Sequence, residues 1–366
     1  ILDNENKRIY KLDQSKLKNI ESCPFIYWIS DDLRENFKNE SMEKTADIKV
    51  GLQTSNNMRF SRFWWEIDLN NISKNYERDN KKWIPYSKGG PFCKWYGNLW
   101  LLVNWKNEGE EIKKYVDDKG EQKSRPQNEQ YYFKEGITYT SSGSGGISFR
   151  YLPKHYIFDV GGSSIFTNKY FTNVFYLLGF FNSKLCSFIV NCLNPTVNTN
   201  QGDLNRIPFV YPLKVTENKI SLLSKNSTKI KKHLCELSII EMNYKYNQIL
   251  WAKEKYKYSD LKKIIKAYLD YENKLLAQVY LNEAIIDELI FQVYQVTEED
   301  KQMILEKEGM PIGSLSLFEN HQFVSDQILP EVKDYIKTIE IKDINSEEKE
   351  QIKKMILELY QQNYTL

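Results

Sequence analysis

YYFKEGITYTSSGSGGISFRYLPKHYIFDVGGSSIF, residues 131–166, decides the fold. Tyrosine, phenylalanine, isoleucine and threonine dominate two pieces on either side of SSGSGG, as expected of strands joined by a polar glycine loop. A second glycine pair stands at 161–162. Immediately after, TNVFYLLGFFNSKLCSFIVNCLNP (172–195) reads as a helix, a break near Asn182 and a second helix ending before Pro195. Beyond Pro212 the texture changes, and glycines almost vanish until Gly309. Apolar residues then recur at helical spacing: Ile220, Leu223, Ile230, Leu234 and Leu237, then Leu261, Ile264, Ile265 and Tyr268, then Leu275, Val279, Ile285 and Leu289. The expected fold class is α+β: a mixed, β-rich domain over 20–212 and a mostly α-helical domain over 213–366.

The flanks follow the same rules. Ser30-Asp31-Asp32 offers a cap for a helix, and Thr297 with Asp300 has capping-box spacing. EEKEQIKKMILELYQQ (347–362) reads as a final amphipathic helix. On the N-terminal side, ADIKVGLQTS and RFSRFWWEIDL within 45–70 look strand-like, with Gly51 marking a turn or a close backbone approach. LWLLVNW is a good strand, Gly89-Gly90-Pro91 a turn, and NEGEEIKKYV (107–116) a short helix with an acidic start and a basic end. The chain opens ILDNENKRIY without an initiator methionine, so 1–19 reads as a segment connecting to a missing upstream region.

Bulk composition narrows the function classes. The 366 residues carry a formal charge of only +2, so whole-chain charge favours no partner and distribution decides. From Lys81 to Asn98 there are four lysines and no acid. Five cysteines without a CxxC and only three histidines argue against a zinc site and for reduced thiols in the cytoplasm. No apolar run reaches the length of a spanning helix. Glu111-Ile112-Lys113 and Glu306-Lys307-Glu308 echo a nuclease triplet but fall in expected helices of an acid-rich chain, and lone His155 has no Ser or Asp partner by spacing.

SCPFIYWISDDLRENF (22–37), GLQTSNNMRFSRFWWE (51–66), KWIPYSKGGPFCKWYGN (82–98), VNWKNEGEEIKKY (103–115), RPQNEQYYFKEGITYT (125–140), RYLPKHYIFDVGGSSIF (150–166) and NPTVNTNQGDLNRIPF (194–209) resemble, in order, one family. They look like the C-terminal specificity half of the PglX family, the adenine-specific DNA methyltransferases of BREX phage-defence systems. More broadly they resemble the specificity region of single-chain restriction–modification enzymes. The resemblance covers roughly 20–210 well and the helical tail loosely.

It implies a DNA sequence-recognition module cut away from its catalytic domain. The intact enzyme would move a methyl group from S-adenosylmethionine to adenine N6, and this chain alone would be inactive. The family's N/D-P-P-Y/F motif is not here. Asn194-Pro195-Thr196-Val197 lacks the second proline and the aromatic that stacks on a flipped adenine, and reads as structural. Gly143, Gly145 and Gly146 lack the strand–loop–helix setting of a nucleoside-cofactor loop, so no cofactor or metal is expected on this fragment.

Double-stranded DNA is the expected partner, with the missing methyltransferase domain and other defence proteins or a phage inhibitor beside it. Arginine forks onto guanine edges and asparagine onto adenine edges, while lysines track phosphates. The candidate DNA contacts are therefore Asn56, Asn57, Arg59, Arg62, Lys81, Lys82, Lys88, Lys94, Lys134, Ser142, Ser144, Arg150 and Lys154. Phe63, Trp64 and Trp65 are expected to hold the platform behind them. For Asn200 and Gln201 a DNA contact stands beside the preferred structural reading, in which Asp203 and Asn205 cap a turn and Ile207 lies in the core. The rival from another class is a protein-interaction or scaffold module of the defence complex, with the aromatic segments as its surface.

Overall fold

The computed structural model describes residues 29–143 and 145–309. The expectations placed on the connecting segment, on Ser144 and on the helix over 347–362 lie outside the described residues.

Ser30 opens α1 (Asp31–Glu35), its hydroxyl accepting from the Leu33 amide at 2.9 Å, and so satisfies one of the helix's free N–H groups. Next come α2 (Met42–Thr45), β1 (Ala46–Lys49), α3 (Asn57–Phe60), β2 (Ser61–Phe63), α4 (Tyr76–Asp79), β3 (Trp83–Ser87) and β4 (Leu101–Asn104). The β-rich part closes with α5 (Lys106–Lys113), β5 (Gly136–Tyr139), β6 (Phe149–Leu152), β7 (Ile157–Phe158) and β8 (Ser164–Thr167). One four-stranded sheet runs β1-β8-β5-β6, antiparallel throughout; the other runs β2-β4-β3-β7, with β7 parallel to β3.

Side chains alternate across a strand, and here the alternation builds three layers. Ile48, Ile137, Tyr139, Phe149 and Ile165 of the first sheet share a core with the helices. Leu152 and Phe166 point the other way and share a second core with Ile84, Tyr86, Val103 and Ile157 of the second sheet. The order is helices, sheet, sheet.

The helical layer comprises α6 (Val174–Phe181), α7 (Lys184–Leu193), α8 (Gln201–Asn205), α9 (Lys214–Glu236), α10 (Gln248–Tyr256), α11 (Leu261–Val293) and α12 (Glu298–Glu308). The break expected near Asn182 has a physical cause. The Asn182 side chain pairs with the β6 backbone like a strand, accepting from the Phe149 amide at 3.1 Å and donating to its carbonyl at 3.0 Å. Ser183 then caps α7 by accepting from the Cys186 amide. No single helix among the described residues is long and apolar enough to cross a membrane; α6 and α7 are bent by 65° and their apolar residues lie in the core. At the far end the Thr297 hydroxyl caps α12, accepting from the Asp300 amide at 3.2 Å.

Gly179 lets α6 and α9 touch, since a Cβ there would lie 2.5 Å from Ser224 Oγ. Ile220, Leu223, Ile285 and Ile286 of α9 and α11 belong to the same core as the first sheet. The expected boundary at 212 therefore falls between elements that share one core. A small separate cluster, Leu237, Ala252, Ile264 and Tyr268, sits where α10 meets α11.

The strand-like reading of 45–70 holds only for 46–49 and 61–63. The correction has a local cause: polar side chains that capture backbone groups compete with a sheet ladder. Asn56 accepts from the Arg59 amide at 3.0 Å and turns the chain into α3. Glu66 accepts from the Phe63 amide at 2.7 Å and closes a 3-10 turn over Trp64–Glu66. That turn ejects two of the expected platform residues: Phe63 and Trp65 are 42% and 49% exposed and stack on each other at 4.6 Å. Trp64 stays anchored through its indole N–H to the Ile240 carbonyl at 3.1 Å.

Candidate nucleic-acid interface

Glycine-bearing loops meet beyond the end of β3. A Cβ on Gly89 would lie 2.5 Å from the Gly161 carbonyl oxygen, and one on Gly162 would lie 2.9 Å from the Lys88 backbone. The Gly90 amide donates to Thr140 Oγ1 at 3.1 Å, and the Thr140 hydroxyl donates back to the Gly90 carbonyl at 3.0 Å. The Ser141 amide reaches the Gly161 carbonyl at 3.0 Å. From another side, the Leu52 amide donates to the Phe158 carbonyl at 2.8 Å and Val160 returns a bond to Leu52 at 3.2 Å, which brings in the segment carrying Asn57. Segments 51–57, 88–90, 140–143 and 159–162 are thus fastened to one another.

At their junction sits Asp159, 3% exposed at its side chain. Its carboxylate accepts from the Tyr86 hydroxyl, from the Gly161 amide at 2.6 Å and from Lys88 Nζ at 3.2 Å. Burial, and then the Asp159 charge beside it, push the Tyr86 hydroxyl well above the ordinary range, so Tyr86 stays a donor. Lys88, 29% exposed, also donates to Asn57 Oδ1 at 3.0 Å. The Thr54 hydroxyl donates to the same oxygen at 2.8 Å. Asp159 and Thr54 were not singled out in the sequence; the one signal was an acid two places before a glycine pair.

The four lysines of 81–98 go four ways. Lys81 donates to the Ile72 carbonyl at 3.3 Å. Lys82 lies over the Trp83 ring at 5.2 Å, which also carries the Arg62 guanidinium at 5.7 Å. Lys88 joins Asp159. Lys94 turns inward, donating to the Asn182 carbonyl at 3.0 Å and to Glu283 at 3.4 Å. Lys81 and Lys82 precede β3 and Lys88 follows it, so they stand at opposite strand ends. Likewise β5 and β6 form an antiparallel pair that puts the exposed Lys134 and Lys154 at the end opposite Ser142.

Two expected contacts are corrected. Arg150 is 1% exposed, on the face of β6 turned toward the second sheet, with Nη2 donating to Thr140 Oγ1 at 3.3 Å. Lys94 is spent on α11. Of the rest, Asn56 is occupied at both ends, its amide nitrogen donating to the Tyr115 hydroxyl at 3.2 Å. Arg59 is exposed but paired with Glu111 at 3.0 Å, on the rim of a shallow cavity of about 410 Å³. Arg62 donates to the Met58 and Ser61 carbonyls, both at 2.6 Å. Asn57 and Ser142 are exposed.

The Lys94 contact leads to buried Asp287, whose carboxyl burial raises to about 7 even though Lys94 and Lys184 oppose the shift. An acid whose folded pKa lies above its unfolded value of about 3.9 binds more protons folded than unfolded, so its contribution to stability falls as pH rises toward 7. Between about pH 5.5 and pH 7 this amounts to about 1.5 kcal/mol. Asp287→Asn should lose that part of the pH dependence in urea titrations; parallel curves for the two proteins would show Asp287 ionised throughout.

The glycine loop after β5 and the Asn194 turn are both engaged within the fold. Gly143, Gly145 and Gly146 join two antiparallel strands, and the Gly143 amide is given to the Val197 carbonyl at 3.2 Å. Asn194 is engaged in its own turn, donating to the Asn198 carbonyl at 3.0 Å and to Asp203 at 2.7 Å.

No protein-family model matches the chain. It is 35% identical over 226 residues to the adenine-specific methyltransferase PglX of Lacticaseibacillus casei, covering 59% of this chain and 19% of that protein. It is 28% identical over 282 residues to the adenine-specific methyltransferase BrxX of Escherichia coli, covering 76% of this chain and 22% of that protein. The expected resemblance is borne out, and the chain spans about a fifth of the length of these curated relatives. A solved structure of the Type IIL restriction-modification enzyme MmeI in complex with DNA aligns with 72% of this chain and 36% of that one, at 12% identity and a TM-score of 0.39. A superposition that loose carries no argument.

Proposed function

We propose that this chain is the target-recognition part of a site-specific, S-adenosylmethionine-dependent adenine methyltransferase of a phage-defence or restriction–modification system. It binds duplex DNA in the cytoplasm, and the transfer chemistry belongs to the rest of a longer protein, which is its first partner. Other defence proteins or a phage inhibitor are further partners of the same assembly.

The observation that carries this reading is the long match to adenine-specific methyltransferases on a chain without their N-P-P-aromatic motif. What such an enzyme needs besides chemistry is a surface that finds the site. The joined loops supply one: exposed Asn57 and Ser142 with half-exposed Lys88 among them. Lysine near phosphate makes affinity fall linearly with salt on logarithmic axes. The full-length protein should therefore bind duplexes with a steep salt dependence. Lys88→Gln should weaken binding to all sequences and reduce the slope by about one. Salt-insensitive binding, or an unchanged slope in a folded Lys88→Gln protein, would count against it.

One observation favours the rival reading as a second role. Met58, next to Asn57 in α3, is 87% exposed, and the Phe63–Trp65 stack a few residues on is exposed as well. Exposed apolar surface of this kind suits a protein partner.

A further inference from the structure

Asn57 is held in one orientation by a group that leaves no choice. Its amide oxygen takes hydrogen bonds from Lys88 Nζ at 3.0 Å and from the Thr54 hydroxyl at 2.8 Å. An amide flip cannot reverse this, because an ammonium has three donors and no acceptor; the atom facing Lys88 must be the oxygen. Both lone pairs of that oxygen are then taken. Lys88 is itself fixed from behind by Asp159, which is buried and held by Tyr86 and the Gly161 amide. The Asn57 amide nitrogen, on an exposed residue, makes no hydrogen bond to a described residue.

We propose that Asn57 is a specificity-determining residue that reads a base edge as a donor only, and that it favours guanine. The inference rests on the DNA-recognition reading above and makes it narrower. An asparagine that reads adenine in the major groove uses both ends of its amide, accepting from N6 and donating to N7. Asn57 has only the donating end to offer. Guanine presents two acceptors, N7 and O6, and thymine one, O4, whereas cytosine presents an amino donor that meets the amide nitrogen donor to donor. The two-ended contact that makes adenine the usual expectation for asparagine is what this geometry removes, leaving adenine a single acceptor, N7, against guanine's two. Lys88 and Asp159 act here as positioning residues through Asn57.

The test is selection of bound duplexes from a pool with randomised sequence, using the full-length protein and its Asn57→Ala, Asn57→Asp and Lys88→Met variants. With the wild type, one base pair of the selected site should be guanine, and Asn57→Ala should relax that pair alone, by about tenfold. Asn57→Asp keeps the contact with Lys88 and replaces the outward donor by an acceptor, so the same pair should shift toward cytosine or adenine. Lys88→Met leaves only the Thr54 hydroxyl on the amide oxygen, which frees one lone pair and should let adenine in at that pair. An adenine at the pair that Asn57→Ala relaxes, or a selected site indifferent to all changes at residue 57, overturns the proposal. A wild-type protein that enriches no sequence overturns the recognition reading itself, a different result from specific binding that ignores Asn57.

Discussion

Gly51→Ala is expected to destabilise the fold by about 3 kcal/mol, through overpacking that no rotamer change relieves. A Cβ at position 51 would lie 2.0 Å from the Phe158 carbonyl oxygen and 2.6 Å from its carbonyl carbon. Both are backbone atoms of a fully buried strand. The same oxygen accepts the Leu52 amide at 2.8 Å, and the Val160 amide returns to Leu52 at 3.2 Å. Making room for one methyl group means parting these segments and losing both hydrogen bonds, each worth about 1 kcal/mol net. The damage is local to the site: Asp159 follows Phe158 directly, and Thr54 and Asn57 follow Gly51. A urea titration should show the midpoint falling, with a loss of DNA affinity at concentrations where the variant is still folded. A midpoint close to wild type would mean that 51–52 and 158–160 are not packed together.

Where a residue's partner is local, the sequence was a good guide. The close approach at Gly51 and the break at Asn182 are made by distant partners, Phe158 and Phe149, and only their positions are marked locally; the Ser30 and Thr297 caps follow from side chains that reach an amide three positions on. So did the change from β-rich to helical texture after Pro212, because hydrophobic period is a local signal. The charges were not legible in this way. Lys94 looked like its three neighbours, yet its counter-charge Glu283 lies 189 positions on. Arg150 was expected at the DNA, but the strand face it occupies is covered by a second sheet that no local pattern announces. Phe63 and Trp65 were expected to hold the platform behind the DNA contacts; one carboxylate, Glu66, turned the chain and left them out. The candidate interface was therefore legible as a neighbourhood and illegible as a set of contacts.

Asp159→Ala should cost about 2 to 3 kcal/mol. Taking one partner from a buried charge pair typically costs about 3–5 kcal/mol, because the other charge is stranded. Lys88 keeps 29% of its side-chain surface, so solvent recovers part of that loss. The Gly161 amide loses its acceptor, whereas Tyr86 retains a hydrogen bond to the Leu52 carbonyl at 3.2 Å. Two further variants separate charge from hydrogen bonding. Asp159→Asn preserves an acceptor for Gly161 and should cost less than Asp159→Ala. Asp159→Ala combined with Lys88→Met removes the stranded ammonium, and should be less destabilised than the sum of the two single changes by about 1 kcal/mol or more. Strict additivity in that cycle, read from chemical denaturation, would mean that Asp159 does not hold Lys88. The ordered oxygen of Asn57 would then lose its support from behind. The cycle thus bears on recognition as well as stability: the acid buried under the loops is what keeps the lysine, and through it the outward-facing amide, in place.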